Sequence, residues 1–172
     1  MYDENSDLPE SGADLQKWVQ DVVLSGLGNE ICALDELSLL PVPVPAELLK
    51  HQNFLHDLDD FALLRWVNSG VELHHLVRNV RSAMLTKSDY RKAAEYWSKV
   101  DGDIARLVEI YHIIHSGGDV EPLLLDNAES LLVNSGAALA SLVASALYKS
   151  PSQNLHRLAA SIAIERGEVS VA

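Results

Sequence analysis

Histidine and carboxylate side chains crowd the middle of this chain. Five of its seven histidines, His56, His74, His75, His112 and His115, fall between positions 56 and 115. Two of them stand in Glu-x-x-His pairs, Glu72 with His75 and Glu109 with His112. Three residues apart on a helix, a carboxylate and an imidazole share one face, and such pairs from two helices build the di-iron centres of some bundles. Helical rise argues against that use here. With a turn at Lys87 between antiparallel helices, His75 lies 12 residues before it and His112 lies 25 after it. The offset is about 20 Å at 1.5 Å per residue, too far for the two pairs to share a metal.

The same arithmetic favours a different set. A single helix over 88–116, running back along 57–86, places His112 opposite about position 62 and His115 opposite about position 59. That would bring together His56, Asp57, Asp60, His112 and His115, with Asp59 beside them. Imidazole nitrogens and carboxylate oxygens converging from facing helices suit zinc, manganese or iron, and a bound divalent ion there would support hydrolysis. The run Phe54-Leu55-His56-Asp57 resembles the His-Asp doublet of the all-helical HD-type phosphohydrolases, over those residues alone. That family also needs a separate upstream histidine. The one available, His51, is only five residues before His56, so the family is not assigned. A structural explanation competes. His115 shares its helical face with Ile104, Val108 and Tyr111, as a core histidine does, and Asp57, Asp59 and Asp60 can serve a helix N-terminus.

Helices must position these residues, because helical periodicity dominates the chain and no strand pattern of useful length appears. The expected fold is all-α, a multi-helix bundle of about seven to eight helices with no sheet. A first helix is capped by Ser11 or Asp14, carries Leu15, Trp18, Val19, Val22 and Val23, and stops at Gly26 and Gly28. Others are expected over 29–40 and 46–58, with a further turn through Phe61, Leu64 and Trp66 and a break at Asn68-Ser69-Gly70. The next runs from Leu73 to near Thr86, and another begins at Ser88 or Asp89. Asp101-Gly102-Asp103 either ends that helix or is passed through on the way to the stop at Gly117-Gly118. The three tryptophans fall in three separate expected helices, which suits core anchors better than a stacking platform for bases.

From 130 to 148 the chain has no charged residue, long enough for a membrane span. Asn134, Ser135, Gly136, Ser141 and Ser145 interrupt it and alanine is as common as leucine, so a buried central helix is expected instead. Gly136, Ala140 and Ala144 lie four apart and allow close approach of another helix, either within the chain or across a homodimer seam. A last helix spans 151–167, and 168–172 is tail. The domain reading is a disordered acidic lead (1–10), an acidic helical unit (11–40), a stiff Pro41-Val42-Pro43-Val44-Pro45 linker, a main bundle (46–167) and the tail, together one compact domain.

Charge points toward a partner. The formal net charge is −12, which opposes direct binding of nucleic acid or an anionic membrane. Residues 1–60 hold 13 acids against Lys17 and Lys50, whereas 61–110 hold six acids and eight bases. The leading expectation is therefore a non-enzymatic adaptor, regulator or inhibitor without a cofactor. Its acidic region, through Asp14, Asp21, Glu30, Asp35 and Glu36, would bind a basic protein, one that handles nucleic acid being one form. Docking of that region on the basic strip of Arg78, Arg81, Lys87, Arg91, Lys92 and Lys99 is its intramolecular counterpart. The alternative is the metal-dependent, hydrolase-like enzyme. The single cysteine, Cys32, in an apolar setting, suits a buried thiol in a reducing, cytoplasmic compartment, and the acidic start lacks the pattern of a signal peptide.

Overall fold

The computed structural model describes residues 17, 21, 24–68 and 70–168. The expected acidic lead, most of the first helix and Asp14 lie outside the described residues. Seven α-helices and one two-stranded sheet are described: α1 Ile31–Ser38, α2 Leu55–Asp60, β1 Leu64–Val67, β2 Gly70–Leu73, α3 His75–Ser82, α4 Lys87–Trp97, α5 Asp103–Ser116, α6 Glu121–Lys149 and α7 Gln153–Glu165. The chain packs as two compact units, Met1–Leu85 and Thr86–Ala172. The Pro-Val segment lies inside the first unit.

The mostly helical architecture matches the expectation, but the absence of a sheet does not. The stretch around Phe61, Leu64 and Trp66, expected to be helical, holds a chain reversal and a strand. Helix α2 ends at Asp60 with Phe61 as its cap, and Ala62 beyond it has a left-handed φ of 54°. Leu63 N donates to Leu58 O (3.1 Å) and Ala62 N to Asp59 O (2.8 Å), the paired bonds of a Schellman ending, which usually has glycine where Ala62 stands. Antiparallel strands follow, with Leu64 opposite Leu73 and Val67 opposite Gly70, so two strands stand where two helices were expected to meet. A hairpin of four-residue strands is marginal by itself. The Pro-Val segment supports it: Val44, fully buried, bridges Val71, accepting from Val71 N (2.9 Å) and donating to Val71 O (3.3 Å). Alternating prolines keep this segment extended, and Val44 still has the N–H that one bridge requires.

Since an alanine pays for φ > 0 and glycine does not, Ala62→Gly should stabilise the first unit by about 1 kcal/mol. Urea unfolding of the two chains checks this, and an unchanged or lower midpoint would mean that the ending is not strained.

The core of the first unit includes Ala33, Leu34, Leu37, Leu58, Val71, Leu73 and Val77. Two carboxylates fasten it. Asp35 receives both Nε (2.5 Å) and Nη2 (3.1 Å) of Arg81 on α3, the fork geometry that makes arginine–carboxylate pairs strong. Glu36 accepts from Lys50 N (2.8 Å) and His51 N (3.0 Å) and lies 2.9 Å from His51 Nδ1. Docking of acidic residues on the basic strip is thus seen at Asp35–Arg81.

The second unit opens with a capping box, in which the Asp89 carboxylate accepts from Thr86 N (2.8 Å) and Thr86 Oγ1 (2.7 Å). Residues 88–116 form two helices. The separation is at 98–102, where Gly102 has φ 105°. Trp97, Leu107, Val108, Ile110, Leu124, Leu131, Leu139 and Leu155 are among its buried residues. The Asp103 carboxylate at the start of α5 accepts from Ser130 Oγ (2.5 Å) and Asn134 Nδ2 (2.6 Å) on α6, and these bonds hold its carboxyl below the usual range. At the far end of α5, Lys149 Nζ donates to Ile114 O (2.5 Å), placing a cation where the helix dipole is negative.

Helix α6 departs from the expected buried rod. It is bent at Ser135 (φ −148°, ψ 34°), one of the residues expected to interrupt the uncharged run. By length and composition it passes as a membrane span, yet only 28% of its most apolar window is buried, and Val133 (81%) and Tyr148 (91%) are exposed. One side packs on α5 and α7 through Leu124, Leu131, Leu139, Leu142 and Val143. The other is an outer face that carries Asp126 and Glu129 in its first half and no charge over 130–148.

Candidate functional site

The corner where α2 turns into β1 gathers features that a stable surface rarely collects. Asp57 lies in the first turn of the helix, and Asp59 and Asp60 end it with exposed side chains. Phe61 caps the helix and is 43% exposed, while Trp66 on β1 is 54% exposed. Trp66 is therefore no core anchor, unlike Trp97, and Trp18 lies outside the described residues. The left-handed Ala62 separates Phe61 from the strand, so the chain reverses and brings Trp66 back to α2. There its indole Nε1 donates to Asp59 Oδ1 at 3.1 Å. Arg65 next to Trp66 is answered across the hairpin by Glu72, Nε to Oε1 2.8 Å. The corner's charge is thus set by its aspartates, beside two aromatic surfaces open to solvent.

The proposed metal set is not assembled by the elements that were to bring it together. The arithmetic required one helix over 88–116 facing another over 57–86; the first is two helices and the second contains the hairpin. His56, Asp57 and Asp60 lie on the six-residue α2, where His56 Nδ1 is 3.9 Å from Asp60 Oδ1 and both side chains are exposed. His112 and His115 are on α5 in the second unit. Among the described residues, no group of three or more His, Cys, Asp or Glu side chains is gathered as a metal ion requires. The Glu109 carboxylate is paired with Arg106 on its own helix.

His112 has a distinct character. It is wholly buried, and neither ring nitrogen has a hydrogen-bond partner among the described residues. Tyr90 meets its ring edge-on, with centroids 5.9 Å apart. Burial, with His115 nearby adding to it, pushes its pKa down to about 3. His115 is half-buried and stacks on Tyr90 at 5.1 Å. Its pKa is also lowered, by burial first and by Lys149 second. A neutral imidazole amid aromatic rings matches the core role that helical phase suggested for His115, with His112 the more deeply placed of the two.

The remaining expected sites divide. Of the partner-binding acids, Asp21 is exposed, Glu30 Oε2 accepts from Gly28 N (2.6 Å), and Asp35 and Glu36 are engaged inside the first unit. Of the seam residues, Gly136 faces the chain's own α7, where a Cβ would stand 3.8 Å from Arg166 Cδ. Ala140 is half-buried and Ala144 is exposed. The signal that sequence reasoning passed over is in 59–66: two acids followed by Phe61, with Trp66 five residues further on, ahead of a Gly-containing turn. Compared with protein-family models, curated proteins and solved structures, the chain matches none.

Proposed function

We propose that the chain is a non-enzymatic interaction protein, an adaptor, regulator or inhibitor, that binds a basic protein surface through its first unit. The observation that carries this reading is the α2–β1 corner, with exposed Phe61 and Trp66 set among Asp57, Asp59 and Asp60. Large aromatic side chains dominate the energetics of protein interfaces, and surrounding acids select and steer a cationic partner. The wider charge agrees: positions 1–85 contain 14 acids against five bases. Among the acids first expected to contact the partner, Asp35 and Glu36 have bonds to keep within the unit, so Asp59 and Asp60 take that role. A basic protein that handles nucleic acid remains one form of the partner.

A blocked peptide of six alternating Lys and Arg residues is a direct probe. Its affinity for the full chain should fall about tenfold or more between low and threefold physiological salt, since exposed charge attraction is screened over about a Debye length. Asp60→Asn should weaken it severalfold while leaving the unfolding midpoint unchanged, as Asp60 is exposed. Equal binding of the peptide and a Glu-rich counterpart, or no loss with salt, would sink the reading.

A further inference from the structure

Resting on that reading, we infer that the α2–β1 corner selects arginine over lysine: it takes an extended, arginine-bearing segment of a partner protein, with the guanidinium on the Trp66 face against the Asp59 and Asp60 carboxylates and a neighbouring apolar side chain on Phe61. The indole–carboxylate bond is the basis. By donating Nε1 to Asp59 Oδ1 (3.1 Å), Trp66 uses its one donor and ties its ring to the carboxylate, leaving Asp59 Oδ2 to accept from elsewhere. A half-exposed indole held in this way presents a π-face with an anion at its rim. Guanidinium fits both parts at once: it is planar and weakly hydrated, stacks on an aromatic face, and keeps its N–H groups in its own plane, directed at the rim. Lysine's ammonium is a compact, strongly hydrated charge that meets either the ring or the carboxylate well, but has no edge to offer both.

Three further features fit this occupant. Asp60 adds a second exposed carboxylate, which among the described residues has the weakly placed His56 beside it at 3.9 Å. Among the described residues of the corner, the cation Arg65 is held by Glu72 rather than by the Trp66–Asp59 pair. Phe61 offers apolar area next to the acids, which an arginine followed by a leucine covers better than a run of bare charges. A phosphate-bearing partner is opposed by the same aspartates.

The test compares three blocked hexapeptides, Gly-Gly-Arg-Leu-Gly-Gly and its lysine and citrulline counterparts, binding to the full chain by isothermal titration. Arginine should bind about tenfold more tightly than lysine. Citrulline, planar but uncharged, should lose nearly all binding. Trp66→Leu should erase the preference for arginine and leave lysine binding unchanged, whereas Asp60→Asn should weaken arginine and lysine alike. A circular-dichroism melt confirms that each variant is folded. If Trp66→Leu does not fold, Trp66→Phe, which keeps a ring but lacks the indole donor, should reduce the preference severalfold. Lysine binding as tight as arginine overturns the selectivity and leaves the basic-partner reading standing. Retention of the preference in Trp66→Leu also overturns it. No binding of any hexapeptide, together with salt-independent binding of the Lys/Arg probe, overturns both.

Discussion

Replacing His112 with leucine is expected to stabilise the second unit by about 1–2 kcal/mol at neutral pH and to remove most of its sensitivity to mild acid. A buried polar group without a hydrogen bond costs about 1–3 kcal/mol, and His112 hides two ring nitrogens in this condition. Leucine of similar size relieves that cost. It gives back part of the gain, about 0.5–1.5 kcal/mol, by losing the edge-on contact with Tyr90. The pH dependence follows from the same burial. In the unfolded chain an imidazole protonates near pH 6.5, whereas in the fold His112 stays neutral down to about 3. Between those values the unfolded state binds the extra proton, so stability rises with pH across the window and is lost as pH falls. From pH 7 to pH 5 the loss is about 2 kcal/mol, at 1.36 kcal/mol for each unit below 6.5. His115, shifted in the same direction, contributes a residual slope that should survive in the variant. Asp103 and Glu121, held low by their hydrogen bonds to Ser130 and Ser152 respectively, add their own losses only at more acidic pH. Denaturant titrations between pH 7.5 and 5, followed by the fluorescence of Trp97, the one tryptophan of positions 86–172, measure this directly. An unchanged midpoint at neutral pH with an unchanged acid slope would refute it.

Gly70→Ala should be the most damaging small substitution in the first unit, costing about 3–5 kcal/mol. Gly70 begins β2 at φ 141°, a backbone conformation that costs any L side chain about 1–3 kcal/mol. A Cβ there would stand 2.0 Å from Val44 O, 2.2 Å from Val44 C and 2.7 Å from Pro45 N. Those are backbone atoms of a segment stiffened by proline, so they cannot swing aside as a side chain would. Relief requires moving Val44 away, which breaks its two bonds to Val71 and uncovers a residue that is fully buried. Loss of that bridge returns the hairpin to two short strands. Trp66 fluorescence and amide exchange at Val71 should report early opening of the first unit, while the Trp97 transition stays in place. A variant with native Val71 protection would show that the segment can yield.

Much of the fold was legible where apolar spacing is long and local. The helices at 31–38, 75–82, 103–116 and 153–165 lie within the stretches whose periodicity predicted them, that at 87–97 starts a residue or two before its expected cap, and the bend at Ser135 falls among the residues expected to interrupt the uncharged run. The region 61–73 was not legible, for a physical reason. Phe61, Leu64 and Trp66 lie at spacings that a helix also satisfies, and the element that decides between them, Val44 bonded to Val71, is 27 positions earlier in the chain. A non-local partner outweighed a local pattern. The exposed face of α6 misled for a related reason. An uncharged run shows that water is not obligatory on any side of a helix, but not how many neighbours are present to cover it. For the candidate site, charge composition picked out the acidic half, but not that Asp35 and Glu36 are bonded within the first unit while Asp59 and Asp60 are exposed. The metal grouping rested on a continuous helix over 88–116, and the chain is two helices there, with Gly102 between them.

The Thr86 capping box has a consequence for how the protein is made. By the time Leu85 has been added, every strand, bridge and carboxylate clamp described for the first unit is already on the nascent chain. The next residue is the nucleating signal of the second, whose reciprocal bonds to Asp89 are complete within four positions. Each half can therefore begin to order as it leaves the ribosome, without waiting for a distant partner. The uncharged run at 130–148 then emerges after α4 and α5, so the helix it must cover is already synthesised, and the interval in which other unfinished chains can capture it is short.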